Sequence, residues 1–115
     1  MGTIREMIST FQNEILNSKD LMPDRAAEIL TKLCALMGNI NDEIRITDIA
    51  YSKVLMEHYN TQETANRAKI IAETTPEYEA KRVARDTKDL AKEIVGSLKY
   101  FLRGKEEEKR NTRFQ

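Results

Sequence analysis

A single cysteine, Cys34, rules out a disulfide within the chain and any zinc site built from clustered cysteines. A single histidine, His58, cannot supply the paired Glu-x-x-His ligands of a di-iron bundle. The four glycines are scattered, so neither a phosphate-cradling loop nor a dinucleotide fingerprint can be drawn. Net charge is missing too: 19 Lys and Arg balance 19 Asp and Glu, which removes any general attraction to nucleic acid or anionic membrane, although a local patch can still attract. No apolar run approaches the roughly 20 residues that span a bilayer. Met1 to Glu6 lack the basic-then-apolar layout of a signal peptide. The expectation is a soluble cytoplasmic protein with no membrane contact, metal or cofactor.

Scarcity of helix breakers is itself informative. With only two prolines and no tryptophan, a third of the 115 residues are charged, a composition typical of long solvated helices. The periodicity agrees. Leu30, Leu33, Met37, Ile40 and Ile44 open a three-and-four spacing that continues through Thr47, Tyr51, Val54, His58, Thr61, Ala65, Ala68 and Ala72. A second run follows Pro76, through Ala80, Ala84, Thr87, Ala91, Ile94, Leu98 and Phe101. Such alternation is a coiled-coil seam. The expected fold is all-α: a long antiparallel helical hairpin, coiled-coil-like, with an additional N-terminal helix, as one domain over residues 1–115.

Local signals set the expected ends. Thr3 and Glu6 have capping-box spacing, and Ile4, Met7, Ile8, Phe11 and Ile15 then share a face, giving a first helix over about 4–17. Pro23 suits a first turn and pushes Met22 out of helical geometry. A break at Gly38-Asn39 would yield a compact bundle, since glycine costs about 1 kcal/mol inside a helix. The register runs through Met37, Ile40 and Ile44 without a skip, which favours one helix over about 23–73, roughly 75 Å long. Thr75-Pro76 is the turn: Thr75 caps and Pro76 begins a third helix over about 76–103, which Gly104 ends or the Lys105-to-Arg110 charge run extends. Residues 111–115 are expected to form a disordered tail.

Folding back at Thr75 pairs Ala72 with Ala80, Thr61 with Ala91, and Tyr51 with Phe101. Leu30 to Ile44 would then be left for the first helix to cover. Val83 and Leu90 flank the seam on one side of the third helix, Val95 and Leu102 on the other. Two helices cannot cover a stripe so wide. These four residues are the candidate oligomer interface, and the expectation is a homo-oligomer, most simply a symmetric dimer.

Candidates for chemistry are few. Glu57 points away from His58, which reads as a packed seam residue. Cys34 beside Leu33 and Met37 reads as a small buried hydrophobe, with no basic cluster to lower its thiol pKa. No enzyme is expected. The third helix is electrically two-sided, with Lys81, Arg85, Lys88, Lys92, Lys99 and Arg103 on one flank and Glu79, Asp86 and Glu93 on the other. Arg85, Lys88, Lys92, Lys99 and Arg103 are the candidate partner-binding residues. Nucleic acid is a possible ligand but not the favoured one, because aromatic residues do not interleave with the cations as single-strand stacking requires.

From about Ile44 onward the chain resembles a family of small bacteriophage-encoded helical proteins. The resemblance rests on Tyr51-Ser52-Lys53-Val54-Leu55, Thr64-Ala65-Asn66-Arg67-Ala68-Lys69-Ile70 and Thr75-Pro76-Glu77-Tyr78. It is strongest in Ser97-Leu98-Lys99-Tyr100-Phe101-Leu102-Arg103 leading to Glu106-Glu107-Glu108. It covers roughly the carboxy-terminal two thirds. It implies a phage or prophage origin among early or recombination genes, and transfers no catalytic residue. The leading expectation is a non-enzymatic accessory protein that binds itself and a phage or host protein, in phage DNA replication or recombination. An inhibitor of a host antiviral defence acting by surface occlusion is a second reading. A nucleic-acid binder using the basic ridge is a third.

Overall fold

The computed structural model describes residues 2–113, as four helices: α1 (Gly2–Asn17), α2 (Pro23–Thr61), α3 (Ala65–Ala72) and α4 (Pro76–Arg113). The longest dimension is 74 Å and the other two are 23 and 21 Å. The radius of gyration is 20.1 Å, against about 13 Å for a compact domain of this length. Helices α2 and α4 pack along one another as a helical hairpin.

Helix starts follow the local chemistry. Met22 is extended, at φ −73° and ψ 140°, and Pro23 opens α2. The Thr75 hydroxyl accepts from Tyr78 N at 3.4 Å and Pro76 opens α4, as the Thr75-Pro76 pair predicts. Helix α1 begins at Gly2, so Thr3 lies inside it and is not its cap.

Three expectations require correction. The long helix does not reach Glu73. It passes unbroken through Gly38 but stops at Thr61, and Gln62 and Thr64 are both extended. Thr64 caps α3 by accepting from Arg67 N at 3.1 Å. The seam spacing continues through Thr61, Ala65 and Ala68, yet residues this small bury too little surface to hold a helix through Asn60, Thr61 and Thr64, whose side chains compete for backbone groups. Spacing survives here without continuity.

The second correction is the register. Tyr51 faces Tyr78, with ring centroids 5.4 Å apart, where the sequence spacing pairs it with Phe101. Arg85 Nη2 contacts Asp48 Oδ2 at 2.7 Å. The chain therefore turns first at Gln62–Thr64, and α3 packs back on α2 with Ala68 and Ala72 fully buried. Ala65 and Ala80, expected in the seam, are exposed.

Third, α4 does not stop near Arg103. It passes through Gly104 and on to Arg113, so the supposed tail is helical as far as it is described; Phe114 and Gln115 lie outside the described residues. Its added length brings Lys105 and Lys109 beside Pro23. The stretch from Leu30 to Ile44 is thus packed by α4, while its buried residues Leu33 and Ile40 also join the cluster with α1.

The core sits at the α1 end. Ile8 and Phe11 from α1 meet Ala26, Ile29, Leu33 and Ile40 from α2 and Ala91, Ile94 and Leu98 from α4. Arg5 lies beside Thr87 while Ile15 lies beside Ser97 and Phe101, so α1 runs parallel to α4. Arg25 joins α1 to α2 with a two-pronged bond to Glu14, both contacts at 2.8 Å. That bond holds the Glu14 carboxyl below its usual range. Lys32 and then Arg25 do the same for Glu28.

Candidate protein-docking surfaces

The predicted partner-binding cations occupy one flank of α4. Arg85 is exposed and paired with Asp48. Lys88 is half-buried, and Lys92, Lys99 and Arg103 are exposed. None of these last four enters an ion pair among the described residues. Lys81 sits over the Tyr51 ring, its Nζ 4.5 Å from the centroid, as a cation–π contact.

The Asp48–Arg85 pair shows which flanks of α2 and α4 meet on this side. Leu30, Met37 and Ile44 lie at whole-turn intervals before Asp48, and Lys92, Lys99 and Arg103 at such intervals after Arg85, with Lys88, Val95 and Leu102 turned from that row toward the buried seam. Leu30, Met37, Ile44, Val95 and Leu102 are half-buried against the core, so they form the floor between the two helices. The cations form its α4 rim. On the α2 rim, Cys34, Asn41 and Arg45 are exposed. Cys34 is therefore not the buried hydrophobe its neighbours suggest; it points along the open flank of α2.

The opposite groove is occupied. Gln12, Ile15 and Leu16 of α1 line a cleft with Leu90, Glu93, Ile94 and Ser97 of α4. The four candidate oligomer residues consequently do not form one patch. All are half-buried. Leu90 faces α1, Val95 and Leu102 belong to the open groove, and the Val83 carbonyl accepts from Thr87 Oγ1 at 2.6 Å.

A second surface escaped the sequence reading. Ile46 is 52% exposed, Ile49 47%, Met56 61% and Tyr59 41%, all on α2. Ile46, Ile49, Lys53 and Met56 repeat the three-and-four spacing on the side of α2 away from its buried seam. The signal was present as a second apolar row, offset from Thr47, Tyr51 and Val54, but a register followed for its buried row hides its exposed one.

His58 is half-buried at its seam position, and no group of three or more His, Cys, Asp or Glu side chains that could hold a metal occurs among the described residues. No helix among them is long and apolar enough to cross a membrane. The fold and surfaces define an all-α helical hairpin carrying two uncovered faces. Compared with protein-family models, curated proteins and solved structures, the chain matches none.

Proposed function

We propose that this protein acts without catalysis, by binding other proteins, and that its first partner is a second copy of itself. The observation that carries the reading is the exposed row Ile46, Ile49 and Met56, with Tyr59 beside it. Scattered exposed apolar residues are ordinary, but a row at coiled-coil spacing on an unbroken helix offers another helix a ready seam. Lys53 within the row lays its aliphatic stem along such a seam and keeps its ammonium at the edge. The resemblance to phage-encoded helical proteins implies an origin among early or recombination genes, not an activity, and an accessory role in phage DNA replication or recombination is proposed on that ground alone.

Light scattering at high concentration should give twice the 13.3 kDa of the chain for the native protein. Ile49→Glu with Met56→Glu should return it to the monomer without loss of helix content. Affinity capture from phage-infected cells, with native and doubly substituted protein side by side, identifies any further partner of this row. A native monomer that captures nothing beyond what the variant captures would sink the reading.

A further inference from the structure

The geometry points to the open α2–α4 groove as a docking site for an acidic amphipathic helix from another protein. This proposal rests on the reading of the chain as a protein-binding one, but uses a different face from the Ile46–Met56 row.

Two observations choose the occupant. The first is shape and chemistry. Leu30, Met37, Ile44, Val95 and Leu102 make a continuous half-buried floor between two antiparallel helices, and the equivalent groove on the other side already holds a helix, α1. A further helix on this side would complete a four-helix arrangement, burying a floor that two helices leave half in water.

The second is charge. From Lys88 to Arg103 the α4 rim holds four cations with no ion-pair partner among the described residues, and the α2 rim adds Arg45. Two acids adjoin this stretch: Asp48, which Arg85 engages, and Asp89, which lies one turn past Arg85 on the face of α4 turned away from the core, so the rim keeps an excess of cations. Glu106 follows where the groove ends beside Pro23. Glu79, Asp86 and Glu93 of α4 lie on its other side. A helix with carboxylates flanking an apolar stripe satisfies floor and rim together, whereas a helix with basic flanks meets repulsion along the whole rim. The rim from Lys88 to Arg103 is roughly 22 Å long, so the occupant needs about four helical turns.

Nucleic acid is disfavoured by the same features. A phosphate backbone would use the cations and leave the apolar floor between them uncovered, and the exposed ring near them, Tyr100, stands at one end of the row and does not interleave with the cations to stack successive bases.

The test uses two synthetic helical peptides of roughly 18 residues, sharing one leucine stripe and carrying either Glu or Lys on both flanks. Fluorescence anisotropy with the full chain should show binding of the Glu-flanked peptide that weakens as salt rises, with the Lys-flanked peptide at least about tenfold weaker. Lys88→Glu with Lys92→Glu and Lys99→Glu should reverse the order of the two peptides, with circular dichroism reporting unchanged helix. Equal binding of both peptides, or Glu-peptide binding that the triple substitution leaves intact, overturns the proposal. So does a single-stranded oligonucleotide of about 20 bases that binds through the same lysines more tightly than the peptide. Failure here with self-association still abolished by Ile49→Glu and Met56→Glu would remove the groove proposal alone. Loss of both would remove the protein-binding reading as well.

Discussion

The ring of Tyr51 lies 5.4 Å from that of Tyr78, tilted by 48°, in a contact that joins the middle of α2 to the first turns of α4. Its partner residue fixes the hairpin register. A double-mutant cycle of Tyr51→Ala and Tyr78→Ala should show a coupling of about 0.5–1.5 kcal/mol, as aromatic pairs do. The cycle of Tyr51 with Phe101 should show none. Coupling in the second cycle and not the first would restore the register with its single turn at Thr75.

Core truncation should be costly where three helices meet. Leu33 is fully buried among Ile29, Ile40, Ile94 and Leu98. Leu33→Ala should cost about 2–5 kcal/mol in urea unfolding, the range for a buried leucine whose cavity cannot collapse. The exposed Ile46→Ala should stay within about 0.5 kcal/mol.

Gly38 offers the opposite sign. It lies exposed inside α2, its φ is not positive, and a Cβ added there meets nothing within 4 Å. Gly38→Ala should therefore stabilise the protein by up to about 1 kcal/mol, read as a rise in Tm of a few degrees. Gly104→Ala should act likewise in α4.

The reversal at Gln62–Thr64 depends on a cap. Removing the Thr64 hydroxyl that accepts from Arg67 N should cost about 1 kcal/mol. Hydrogen exchange should speed first in α3, because Thr64→Ala frees only that helix's amino end. Faster exchange throughout α2 instead would contradict a separate α3.

Stability should fall in strong alkali. Burial, and then the charge of Glu73, raise the Tyr51 hydroxyl above its ordinary 10.0. The folded state thus holds this proton more tightly than the unfolded one. Its contribution is complete below the unfolded pKa and is lost as pH rises through the folded one. Tyr51→Phe should flatten the alkaline limb of a stability–pH curve. At the acid end the sign reverses. Glu14 and Glu28 are held below 4.5 by Arg25 and Lys32, so their contribution is present above the unfolded value and fades as pH falls. Both pairs are partly exposed, which keeps that acid effect small.

Much of this architecture is legible in the residues themselves. The helical class, the starts at Pro23 and Pro76, the end of α1 at Asn17 and the two flanks of α4 all follow from short-range chemistry: proline geometry, caps, and the turn of the helix. These effects act within a few residues, so a linear reading reaches them. The basic row from Lys88 to Arg103 was visible for the same reason.

Tertiary structure alone decided the pairing. A seam that repeats every seven residues is nearly degenerate, and sliding α4 by about three heptads, close to the separation of Phe101 from Tyr78, still lays its apolar row on α2. The choice falls to the core at the other end, where sliding α4 fully along α2 lets Ala91, Ile94 and Leu98 meet Ile8, Phe11, Ile29, Leu33 and Ile40. Bringing those large side chains together outweighs continuing a helix through Thr61 and Ala65, which bury little. That exchange breaks the chain at Gln62–Thr64 and extends α4 to Arg113. It also settles which flanks are covered: α1 takes the groove beside Leu90, and the groove between Met37 and Val95, with its row of cations, stays open.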